Sequence, residues 1–210
     1  MIIIRSNHDI PTSYLYIYSE ELIEEAEKKR FKIAKIEGDE ISEATLRGRI
    51  KNRKPKFIFF SGHGSNKSLY DNQGKEFVDI GSADIFKDTV TYAIACSCLE
   101  GLGSAAIDGG CFSFIGYKKP FWIARDQKYE TRPLEDNIAK PILECSNIVV
   151  KSLLKGNTVS ESIRKSHEKA ADNIIKLVYS KEPLAPASLQ ALVSNDEALS
   201  FKGENSAKIV

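Results

Sequence analysis

Apolar positions along this chain fall into two textures. Some form short unbroken runs, and others recur every three or four residues among polar neighbours. Unbroken runs at Ile2–Ile4 and Phe57–Phe60, and the nearly all-apolar stretch Val90–Cys96, predict strands covered on both faces. Phe31–Ile36 alternates apolar with basic residues and predicts a further strand before the Gly38-Asp39 turn. Cys111–Gly116 and Phe121–Ala124 supply another strand and its exit.

The recurring texture predicts helices. Leu15, Tyr18, Leu22 and Ala26 share one helical face within Thr12–Arg30, with Thr12 or Ser13 as N-cap. Ser42–Lys54 reads as a short basic helix stopped by Pro55, Ser82–Asp88 as a helical turn and Gly101–Gly110 as a short helix. Leu134–Leu154 reads as a helix interrupted at Pro141. Thr158–Tyr179 opens on Thr158-Val159-Ser160-Glu161, the spacing of a reciprocal N-terminal cap, and carries the stripe Val159, Ile163, Ala170, Ile174, Leu177. The polar stretch Ser65–Lys75 is expected to be a loop. Leu189–Val193 and Ala198–Phe201 are expected to close the chain as a pair of strands.

Strands alternating with helices predict an α/β three-layer sandwich, a mostly parallel sheet flanked by helices, within one domain spanning 1–210. At 42% hydrophobic and 28% charged residues, the 210-residue chain has the make-up of a folded globular protein rather than a disordered one. Its 30 basic and 29 acidic residues leave a net charge of +1, so no global field draws it to nucleic acid or to a membrane surface. No apolar run approaches the roughly 20 residues that span a bilayer. The opening Met1-Ile2-Ile3-Ile4-Arg5 is too short for a secretory leader, and a cytoplasmic location is expected. The four cysteines, Cys96, Cys98, Cys111 and Cys145, show neither zinc-ribbon nor thioredoxin spacing.

In parallel sheets, sites gather at the carboxyl ends of strands, and the candidate chemistry sits there. Phe57–Phe60 runs into Ser61-Gly62-His63-Gly64, and Val90–Ala95 runs into Cys96-Ser97. If the two strands are neighbours, an imidazole and a thiol face each other across the sheet edge, the arrangement of a cysteine nucleophile with a histidine for proton transfer. The glycines let a substrate approach the backbone, and the Gly64 N–H suits an oxyanion hole. Cys98, past the strand end, is the rival nucleophile. Ser61 lacks the Gly-x-Ser-x-Gly elbow of serine hydrolases, and Gly101-Leu102-Gly103-Ser104 lacks the lysine of a phosphate loop. His167 reads as a surface residue of a polar helix, and the basic stretch Arg47–Lys56 as a solvated helix end.

The pairing of an apolar strand with Ser-Gly-His-Gly, and of a second with Ala-Cys-Ser, resembles the caspase-type (clan CD) cysteine peptidases. The prokaryotic gingipain-like and CHAT-like branch is nearer than the animal caspases, whose Gln-Ala-Cys-Arg-Gly block is absent. Gly109–Tyr117 is similar to the strand that follows the nucleophile in that branch, and Leu192–Ala207 to the way those domains end.

The resemblance implies a caspase-like domain hydrolysing peptide bonds with Cys96 as nucleophile and His63 as general acid/base. The Gly64 and Cys96 N–H groups would form the oxyanion hole, and no metal or organic cofactor would be required. Protein or peptide substrates are implied, with an activating protein partner as a further possibility. A latent or non-catalytic module in a regulatory or defence assembly is the alternative. The acidic residue that often precedes the cysteine by two positions in members selective for basic P1 residues is replaced here by Ile94. Asp9 and Asp126 are the candidates to bind a basic P1 side chain, which is the weak preference. Arg5 and Arg125 are the rivals that would favour an acidic one. The polar loop Arg125–Glu135 is where the family carries processing cleavages, with Lys128 the fitting point.

Overall fold

A computed structural model describes all 210 residues. A six-stranded sheet in the order β2-β1-β3-β6-β7-β8 forms its middle layer. The strands are β1 (Ile2–Arg5), β2 (Ala34–Glu37), β3 (Phe57–Ser61), β6 (Val90–Ile94), β7 (Ser113–Tyr117) and β8 (Leu199–Gly203). All pairings are parallel except that of β8 on β7. Every residue of β1, β3, β6 and β7 is buried, as their unbroken apolar runs require. Strand alternation divides the core. Ile3, Phe57 and Phe59 face one apolar cluster, while Ile2, Ile4, Ile58 and Phe60 face the other. The predicted three-layer α/β sandwich is the one observed.

Helices α1 (Ile10–Tyr18) and α2 (Glu20–Lys28) cover the first face with α5 (Lys140–Leu154) and α6 (Val159–Val178). Helices α3 (Glu43–Arg53) and α4 (Ser104–Asp108) cover the second. The helices leaving β1 and β2 thus pass to opposite faces, which makes the gap between β1 and β3 a point where the winding reverses. No helix is long and apolar enough to cross a membrane.

Several expectations need correction. The single helix over 12–30 is two, because the Tyr16 carbonyl accepts from the Ser19 hydroxyl (2.7 Å) and from Arg5 Nη1 (3.2 Å). Side-chain donors there compete for the carbonyl that would otherwise continue the ladder. The N-cap of α1 is Asp9, whose carboxylate accepts from the Thr12 N–H at 2.9 Å. Within the expected loop, Ser68–Tyr70 (β4) pairs antiparallel with Glu76–Asp79 (β5). Pro141 occupies the first turn of α5 and begins that helix instead of interrupting it, since a helix start has no use for its missing N–H.

Leu189–Val193 is not a strand. It lies inside α7 (Ala185–Ala198), whose buried face is Ala185, Ser188, Ala191, Leu192, Asn195 and Ala198. Phe121–Ala124 is not a strand either, and its irregular backbone is held from the side. The Trp122 N–H donates to Asn195 Oδ1 (2.9 Å), and Asn195 Nδ2 donates to the Trp122 carbonyl (2.7 Å). The reciprocal cap Thr158–Glu161 at the start of α6 is present as read.

Candidate active site

β3 and β6 are adjacent, with Phe57 opposite Val90 and Ser61 opposite Ile94. That register offset is 33 residues (90 minus 57), the same as the separation of His63 from Cys96 (96 minus 63). His63 and Cys96 thus each lie two residues past the last pair of the ladder, Ser61 and Ile94. The Gly62 N–H donates to the Ile94 carbonyl (3.2 Å), which carries the pairing one step past the strand ends. Both residues line one cleft of about 310 Å3, together with Pro11, Thr12, Phe121, Trp122 and Arg125.

Gly64 needs to be glycine. A Cβ there would come within 2.9 Å of the Ala95 Cβ and 3.1 Å of the Ser68 carbonyl. Its neighbours His63 and Ser65 take the hydrogen bonds to β4, through Tyr70 N–H to the His63 carbonyl and Ser65 N–H to the Ser68 carbonyl. By the antiparallel alternation, the Gly64 N–H points away from β4. Neither it nor the Cys96 N–H has an acceptor within the protein. Ser97 follows in the left-handed region at φ 54°, a costly conformation for a residue with a side chain, and turns the chain sharply after the thiol.

Cys96 is the one cysteine that is not buried. Its sulfur lies 3.9 Å from the Phe121 carbonyl. Burial pushes the Cys98 and Cys145 thiols up to about 12 and Cys111 up to about 11. A thiol that is buried and protonated is inert, so Cys98 is excluded as a nucleophile.

His63 carries a partner that the sequence reading assigned elsewhere. Its Nε2 lies 2.6 Å from Asp9 Oδ2. Partial burial raises the Asp9 carboxyl, but hydrogen bonds from the Thr12 hydroxyl, the Thr12 N–H and His63 outweigh it and bring it down to about 2. If His63 is neutral, an ionised Asp9 accepts from its Nε2–H, and Nδ1 is the ring nitrogen with the lone pair. Asp9 is therefore engaged by His63 and Thr12 and is not an open counter-charge.

The other three specificity candidates part company. Arg5 is 1% exposed and held by Glu20 (2.8 Å), Glu37 and the face of Tyr16 (4.0 Å to the ring centre). It pins β1, β2 and α1 together, and the expectation that it binds substrate is corrected. Asp126 caps a short turn by accepting from the Lys128 N–H (3.1 Å), and it also pairs with the Lys128 ammonium (3.4 Å). Arg125 lines the cleft, with its Nε on Glu130 (2.9 Å). Sequence reasoning missed Thr12, the Phe121 carbonyl and the Trp122 wall. No local pattern marks them, because each reaches the site through the packing of separate loops.

No family model matches the chain, and no curated protein does. Among solved structures it is similar to the Arg-specific cysteine proteinase gingipain R (RgpB), with a TM-score of 0.66, 11% identity and coverage of 99% of this chain and 46% of that one. It is also similar to the complex of pro- and mature domains of RgpB from Porphyromonas gingivalis, at TM-score 0.61, 10% identity, and coverage of 99% and 48%. The chain thus spans about half the length of those proteins. At such identities the likeness is one of fold alone, a fold shared with gingipain R.

Proposed function

We propose that the protein is a cysteine endopeptidase working through Cys96 and His63. The observation that supports this reading is that His63 and Cys96, each two residues past the end of an adjacent parallel strand, line one cleft. In this reading His63 Nδ1 takes the thiol proton as Cys96 Sγ attacks the peptide carbonyl, forming the C–S bond. The tetrahedral oxyanion is met by the Gly64 and Cys96 N–H groups. His63 then gives its proton to the leaving amine as the C–N bond breaks, leaving a thioester. Water, deprotonated by His63, releases the acid and the thiol. Asp9 acts through His63 as a positioning residue.

The preference for a basic P1 residue rested on Asp9 and Asp126. Both carboxylates are engaged, and Arg125 in the cleft wall is paired with Glu130, so none of these charges stands free to select the P1 residue. The test is hydrolysis of a fluorogenic peptide library varied at P1. Wild type should turn over, Cys98→Ala should keep about half of that rate or more, and Cys96→Ala should lose about a thousandfold or more. A wild-type protein silent on the whole library would overturn the reading in favour of a non-catalytic module.

A further inference from the structure

The turn after β1 brings a second imidazole to the Asp9–His63 pair. The His8 and His63 ring centres are 5.3 Å apart and nearly perpendicular. One ligating atom each from His8, Asp9 and His63 lies within 4.8 Å of the others. We propose that His8, Asp9 and His63 form a three-ligand site for a zinc-class divalent cation, with the fourth position left to water. Two imidazoles and one carboxylate are the donor set that suits zinc, and they are ill matched to calcium or magnesium, which take oxygen ligands.

The site has the supporting shell that metal sites use to aim their ligands. Thr12 holds Asp9 Oδ1 through its hydroxyl (2.7 Å) and its N–H (2.9 Å), which leaves Oδ2 directed at His63. The same hydroxyl accepts from the backbone N–H groups of both His8 and Asp9 (3.1 Å each), fixing the turn that carries the two ligands. Asp9 Oδ2 and His63 Nε2 stand 2.6 Å apart, and around a tetrahedral zinc two such atoms would stand about 3.3 Å apart. The side chains need to part by about 0.7 Å by that measure, and both are more than a third exposed, so neither is locked by packing. The cation would take the place of the proton they share. It would also tie up the imidazole that the peptidase reading uses, so on that reading zinc inhibits.

Binding is tested without reference to activity, by calorimetric titration of zinc chloride into Cys96→Ala, which removes the exposed thiol. One-to-one binding is expected, weakened by at least about tenfold when His8→Asn is added, with calcium giving no heat. Thermal unfolding of each variant confirms that it folds. Absence of one-to-one binding in Cys96→Ala, or equal binding with and without His8, overturns the site. In wild type, hydrolysis should fall over the same zinc range and return with a chelator. Zinc binding by a protein with no hydrolysis would refute the peptidase reading and leave the site standing. Hydrolysis indifferent to saturating zinc would refute the inhibition.

Discussion

Two histidine–aspartate pairs of nearly the same geometry occur in this molecule. His63 meets Asp9 at 2.6 Å, and His167 on α6 meets Asp196 on α7 at 2.7 Å. Each imidazole is 40% exposed. Yet in the second pair the hydrogen bond that His167 donates to Asp196 outweighs partial burial and raises the imidazole's pKa, and the pair braces two helices. In the first, the carboxylate is clamped by Thr12, and the imidazole stands at the carboxyl edge of the sheet. There it lines one cleft with the only cysteine that is not buried, and the Gly64 and Cys96 N–H groups have no acceptor. A histidine–carboxylate pair is therefore no mark of a site by itself. What distinguishes one from the other is what lies beyond the imidazole.

The sharpest way to break this contrast is to remove each carboxylate charge. Asp9→Asn should cut kcat by about 100-fold or more with KM little changed, since a positioned imidazole is lost and the binding surface is not. Asp196→Asn should leave turnover within about twofold. Equal effects in steady-state kinetics would sink the distinction.

Thr12→Val probes the clamp with a smaller effect. It should cost about 0.5–2 kcal/mol in denaturant unfolding, as loss of a helix cap does. Because Asp9 is held at about 2 and an unfolded aspartate titrates near pH 4, its contribution is present above about pH 4. That contribution is lost as the pH falls toward 2. In Thr12→Val the folded value moves back up, and this acid limb of the stability curve should flatten.

The smallest effect is expected at the second pair. A raised histidine pKa stabilises below the unfolded value of about 6.5, and the stabilisation fades as the pH rises through the folded value. His167→Gln should therefore lower Tm by a degree or two on the acid side, roughly what a few tenths of a kcal/mol gives. At alkaline pH it should change nothing. A Tm difference independent of pH would show that the ring packs rather than ionises.

Much of this was readable from the chain because parallel sheets place chemistry at strand ends, and the two central strands announce themselves as apolar runs. His63 and Cys96 could be singled out on that basis. Asp9 was noticed but given the wrong task, since nothing local says that the turn after β1 leans over the end of β3. Arg5 was misread for a related reason. It is buried through glutamates 15 and 32 residues away, and such long-range pairings leave no short-range pattern. Helix α7 was hidden by chemistry. Its buried face includes Ser188 and Asn195 beside small alanines, so the apolar stripe that marks a helix is broken. The Asn195 amide is there to hold the Trp122 backbone, a use that hydrophobic periodicity does not register.

The parallel ladder has a consequence for how the site comes into being. β1 pairs with β3 across 56 residues (58 minus 2), and β3 pairs with β6 across 33. Such non-local pairings close late and slowly, because loop entropy must be overcome before the contacts return anything. The carboxylate, the imidazole and the thiol follow three different strands, β1, β3 and β6, so no hairpin or helix pair forming early can bring them together. On the proposed reading, activity is thus bound to completion of the whole central sheet, and a chain still emerging or partly collapsed carries these residues without bringing them together.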